Sequence, residues 1–69
     1  MEPKAIVGQN IRELRTELEL TQEALAERCG MTAVEIGRAE RGMRDLRIST
    51  VVKIARGLDV PAAQLLSGL

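Results

Sequence analysis

"TQEALAERCGMTAVEIGRAERG", residues 21–42, decides how this chain folds. In "QEALAERC" the apolar residues Leu25, Ala26 and Cys29 fall on one side of a helix. Gly30 follows as a left-handed helix stop. Thr32 and Glu35 then form a capping box, in which a hydroxyl serves the N3 amide and a carboxylate returns to the cap amide. Thr21 lacks that acid, since Ala24 stands in its place. Its hydroxyl still caps, and Glu23 puts negative charge in the first turn. The spacing predicts helices over about 22–29 and 33–41, joined by three residues and closed by Gly42. Ala26 is small where the two would cross, and Leu25, Cys29, Met31, Ile36 and Ala39 are spaced to pack such a pair.

The rest of the chain reads as helix too. Prolines occur only at 3 and 61, and β-branched residues never alternate over a strand's length. Ile6, Val7, Ile11, Leu14 and Leu18 predict an amphipathic helix over about 4–18. "MRDLRI" is a loop. Ser49 is expected to cap a fourth helix over about 50–57, and Pro61 to open a fifth, "PAAQLL". The expected core is Ile6, Ile11, Leu14, Leu18, Leu20, Leu25, Ala26, Cys29, Ile36, Ala39, Val51, Ile54, Ala55, Leu58, Val60, Leu65 and Leu66. The fold class is all-α, a compact five-helix bundle in a single domain over 1–69.

Composition removes several functions. The chain has no Phe, Tyr, Trp or His, which excludes histidine acid–base chemistry, imidazole metal sites and aromatic base-stacking platforms. No nucleophile–base pair or metal cluster is visible, so the chain is read as no enzyme, with no cofactor and no metal. One cysteine cannot form an internal disulfide, which suits a reducing cytoplasm. Cys29 is read as a small buried apolar group. No apolar run approaches a membrane span, and the N-terminus is no signal peptide. The expected location is cytoplasmic, in a bacterium or phage host.

The ten basic and ten acidic residues cancel, which argues against indiscriminate polyanion binding. They are nevertheless sorted. Residues 1–30 hold four basic against six acidic, and residues 31–69 hold six basic against four acidic. Four of the basic residues, Arg38, Arg41, Arg44 and Arg47, lie in "RAERGMRDLR".

A short helix, a tight glycine turn and a second capped helix make a helix-turn-helix, whose second helix fits the DNA major groove. The stretch 21–42 resembles that of the Cro and phage-repressor (XRE) family. The resemblance extends back to "IRELRTELELTQ" and forward to "STVVKIARGLDVPAAQLL". It implies a lambda-repressor-like bundle of five helices that binds double-stranded DNA, as a transcriptional repressor or autoregulator. It also implies a homodimer on a two-fold symmetric operator. A monomer this small offers few contacts, since single modules bury roughly 600–1,000 Å². Leu46, Ile48 and Val60 to Leu69 are the expected dimer surface, because apolar residues there exceed what the core needs. The same fold also serves antitoxins and other partner-binding proteins, and controller proteins of restriction-modification operons.

Carried over by position, Gln22 matches a residue that contacts a phosphate. Thr32, Ala33, Val34, Gly37 and Arg38 match recognition-helix positions that face the groove. Arg41 and Arg44 match positions flanking the backbone, and Arg47 follows them on the same loop. Arg15 and Glu40 match a pair that forms a buried or half-buried salt bridge in several relatives. Three departures stand out. Ala33 and Val34 replace polar readers, leaving apolar contact with a thymine methyl. Glu19 and Asp59 stand where relatives often carry Gly, so positive φ is expected at both. Ala39 is smaller than the usual Leu or Ile.

Overall fold

The computed structural model describes residues 1–69 as five helices and no strand. They are α1 (Pro3–Glu17), α2 (Gln22–Cys29), α3 (Ala33–Glu40), α4 (Ile48–Leu58) and α5 (Ala62–Leu65). α3 packs against α1 and α2, α2 also against α4, and α4 against α5. No helix is long and apolar enough to cross a membrane.

The first four helices end in the same way. After α1, Leu20 N–H donates to Arg15 O at 3.1 Å and Glu19 N–H to Thr16 O at 3.0 Å. Equivalent pairs of bonds close α2 at Gly30, α3 at Gly42 and α4 at Asp59. Each is a Schellman turn, which needs one left-handed residue. Glu19 and Asp59 both take φ 58°, as expected, and Gly30 and Gly42 take 68° and 65°. Gly42 is needed for a second reason, because a Cβ there would lie 2.9 Å from Ala5 Cα.

The helix starts are less uniform. Thr21 accepts from Ala24 N–H at 3.0 Å, and Thr32 and Glu35 form the full capping box. Ser49 does not cap α4. That helix opens two residues earlier, with Arg47 as a cap that makes no side-chain bond. Thr50 and Val51 N–H both donate to Arg47 O at 3.0 Å. Leu46 packs against the core and sets where the chain enters the helix. A cap hydroxyl, worth about 1 kcal/mol, does not outweigh that anchor.

The core is Val7, Ile11, Leu25, Ala26, Cys29, Ile36, Ala39, Val51, Ile54, Ala55, Leu58 and Leu65. Leu14, Leu20 and Val60 pack partly buried against it, and Ile6 is half-buried. Two expected core residues are not in it. Leu18 is 47% and Leu66 43% exposed. Leu18 lies past the end of α1, at the chain reversal, so the helical period no longer places it. Leu66 follows α5 and edges a surface groove. Val7, absent from the expected core, is buried.

Small residues set how α3 sits. A Cβ on Gly8 would collide with Ala39 O and lie 2.7 Å from Glu40 O. α1 and α3 therefore touch backbone to backbone, which explains why Ala39 is small. On the other side, a Cβ on Gly57 would collide with Cys29 Sγ. Burial pushes the Cys29 thiol pKa up, against the smaller opposing pull of Arg28 and Lys53. It is a packed thiol, as expected.

Candidate nucleic-acid interface

The inner side of α3 is Ile36, Gly37 and Ala39. Its outer side is Val34, Glu35 and Arg38, all exposed, with Ala33 half-buried. Val34 is 60% exposed. An aliphatic side chain held in water at the start of a helix is suited to apolar contact with a partner.

Thr32 is occupied locally. Its hydroxyl accepts from Glu35 N–H at 3.2 Å and donates to Glu35 Oε1 at 3.1 Å, and its own N–H donates to that oxygen at 2.9 Å. These bonds, the backbone one first, hold the Glu35 carboxyl pKa below its ordinary value, helped by Lys53 and Arg44.

Behind α3 lies one polar network. Arg15 donates to Glu40 through Nε at 2.6 Å and Nη2 at 3.1 Å, and to Leu20 O through Nη1 at 2.7 Å. Gln22 Nε2 donates to Glu40 Oε1 at 3.0 Å. The Glu40 side chain is 3% exposed. One carboxylate thus fastens α1 and the start of α2 to the end of α3.

Gly37 is buried because side chains cover it. A Cβ there would lie 3.4 Å from Arg41 Nη1 and 3.5 Å from Gln22 Oε1. The Arg41 guanidinium and the Gln22 amide converge over this glycine. Arg38, Arg41, Arg44 and Arg47 are exposed, and none forms an ion pair within the chain. Arg44 and Arg47 line a cleft of about 340 Å³ with Met31, Glu35, Thr50 and Lys53.

The structure therefore gathers Gln22, Gly37 and Arg41 at one end of α3. It places Thr32, Ala33 and Val34 at the other, with Arg38 between on the exposed side and Arg44 and Arg47 on the following loop. Sequence reasoning missed two features. Lys53 joins the arginine cleft from α4. Its signal was its place one turn after Ser49 and Thr50 on the polar side of that helix. The bond from Gln22 to Glu40 had no sequence signal, since it joins residues on two helices 18 positions apart.

The arrangement has known counterparts. A transcriptional regulator of the ATPase CF(0) region of Rhodospirillum rubrum, itself uncharacterized, is 42% identical over 65 residues. The match takes in 94% of this chain but only 60% of that protein's length. The crystal structure of the restriction-modification controller protein C.AhdI from Aeromonas hydrophila superposes with a TM-score of 0.87. It is 37% identical, and the match covers 90% of this chain and 94% of that one. The P22 c2 repressor, solved in complex with a synthetic operator, superposes with a TM-score of 0.82 at 27% identity, covering 91% of this chain and 96% of its own. This is the lambda-repressor-like fold. A family model described as helix-turn-helix matches residues 11–65. The chain belongs to this helix-turn-helix family, the Cro and phage-repressor (XRE) type, whose members are DNA-binding regulators of transcription rather than enzymes.

Proposed function

We propose that the protein acts as a homodimer that binds a specific, two-fold symmetric double-stranded operator in the bacterial cytoplasm, as a repressor or autoregulator. One observation carries this reading: charge is sorted around α3. Glu40 is turned inward and neutralised by Arg15, while four unpaired arginines face outward. A chain of zero net charge thereby presents a cationic edge, which is what phosphate contact requires.

In this reading Arg38 reaches a base edge, and Gln22, Arg41, Arg44 and Arg47 hold phosphates. Ala33 and Val34 offer apolar contact to a thymine methyl. Thr32 and Gly37 serve by shape, since one is spent on the cap and the other is covered. The test is selection of bound duplexes from a random pool. The expected product is an inverted repeat whose half-sites lie about 34 Å apart, one duplex turn. A pool that shows no enriched sequence overturns the reading.

A second reading makes the protein the controller of a restriction-modification operon. The likeness to C.AhdI over 94% of that protein favours it. Restriction and methyltransferase genes beside this one, with the selected sequence between them, decide for it.

A further inference from the structure

We infer that the face formed by the start of α1, the α3–α4 loop and α4 seats a second copy of this chain, with Ile48 entering the partner's apolar groove and Lys4 meeting the partner's Asp45. The inference rests on the dimeric reading above and assigns the surface and contacts that this reading requires.

A groove of about 270 Å³ runs along this face, lined by Val7, Leu46, Val51, Val52, Ala62 and Leu66 among others. Ile48 stands on its lip, 83% exposed. An aliphatic side chain in water beside an apolar groove puts ligand and receptor on one surface. A two-fold contact needs that self-complementarity, because each copy gives the other what it takes.

The charges on the rim point to the same occupant. Lys4 and Asp45 both border the groove. Asp45 has no ion pair within the chain, and the only one Lys4 makes is with its neighbour Glu2, at 3.6 Å. One residue of each sign on a single rim suits a second copy, since rotation lays each against its opposite twice. A membrane surface would call for a rim of positive charge alone.

The groove also adjoins the basic edge. Asp45 and Leu46 line both the groove and the arginine cleft on the far side of the loop. A second copy seated here brings the two Arg44–Arg47 loops together, on either side of the two-fold axis. That is consistent with one continuous duplex crossing both.

The test is sedimentation equilibrium on the full chain and four variants: Lys4→Asp, Asp45→Lys, Ile48→Asp and the double Lys4→Asp/Asp45→Lys. Circular dichroism and the thermal midpoint check that each still folds, which is expected for substitutions on this surface. Each single change should raise the dimer dissociation constant by roughly tenfold or more, since like charges then face each other or a charge enters the groove. The double reversal should recover most of the loss. A wild-type chain that dimerises while all four variants dimerise equally well overturns this face and leaves the dimeric reading standing. Single reversals that weaken the dimer without recovery in the double overturn the Lys4–Asp45 contact. A chain that stays monomeric at every concentration, with and without a selected duplex, overturns the dimeric reading itself and this face with it.

Discussion

Arg15 and Glu40, 25 residues apart in the chain, meet as a two-pronged ion pair with N–O distances of 2.6 and 3.1 Å. Their side chains are 12% and 3% exposed. Arg15 also donates to Leu20 O and Glu40 also accepts from Gln22. The pair ties the end of the recognition helix to α1 and to the turn that opens α2. Removing one partner leaves a buried charge uncompensated. Glu40→Ala or Arg15→Ala is expected to cost about 3 kcal/mol in denaturant unfolding. The double variant Arg15→Met/Glu40→Leu should lose less than the sum of the two single losses, because no charge is left unpaired. A single variant as stable as wild type would show that the pair contributes nothing.

At Glu19 the backbone takes φ 58°, a region that costs a residue with a Cβ about 1 kcal/mol. Its side chain makes no hydrogen bond or ion pair to offset this. Glu19→Gly should therefore keep stability level or raise it by up to about 1 kcal/mol, despite the entropy glycine adds to the unfolded chain. Urea unfolding checks it, and a loss above about 1 kcal/mol would contradict it.

The four arginines should not be equivalent. Arg38→Ala is expected to cost about 1–3 kcal/mol on the operator and to relax preference at one base pair. Arg41→Ala, Arg44→Ala and Arg47→Ala should weaken binding to every sequence alike. Each should make the slope of log affinity against log salt shallower by about 0.9. Titrations on operator and random duplexes separate the two classes. Equal losses on both for Arg38→Ala would make it one more phosphate contact.

Glu35 links the start of α3 to pH. The Thr32 N–H, then the Thr32 hydroxyl, holds its carboxyl below the ordinary value. A group whose pKa is depressed on folding contributes stability that is complete above its unfolded pKa. That contribution is lost as pH falls through the folded value. Glu35→Gln can keep the capping geometry but does not titrate. Its thermal midpoint should fall less steeply than that of wild type as pH drops through the carboxylate range. Parallel curves would show that Glu35 carries no part of the acid sensitivity.

Much of this molecule was legible in local chemistry. The Thr32–Glu35 box, the glycine after α2 and the spacing of Leu25, Ala26 and Cys29 need only a few neighbouring residues to act. They set the two short helices and their turn. The positive φ of Glu19 and Asp59 was also readable, from the turn positions they occupy. Local signals failed where a distant contact was stronger. Ser49 had the chemistry of a cap, yet the anchoring of Leu46 in the core started α4 at Ile48. Leu18 kept the apolar period of α1 but fell beyond the helix that gave the period meaning.

The sequence by itself determined the class of the fold, because capping, stop signals and helical periodicity act over a few residues. It also determined that the arginines cluster, since clustering is a matter of chain position. Only the tertiary structure decided which way charge faces. Glu40 sits among arginines in the chain and is as polar as they are. Its burial depends on Arg15 arriving from another helix, and that approach depends on Gly8 letting α1 and α3 touch backbone to backbone. The same packing covers Gly37 with Gln22 and Arg41. Pairing across helices is set by where three backbones lie at once, which no spacing along one of them encodes.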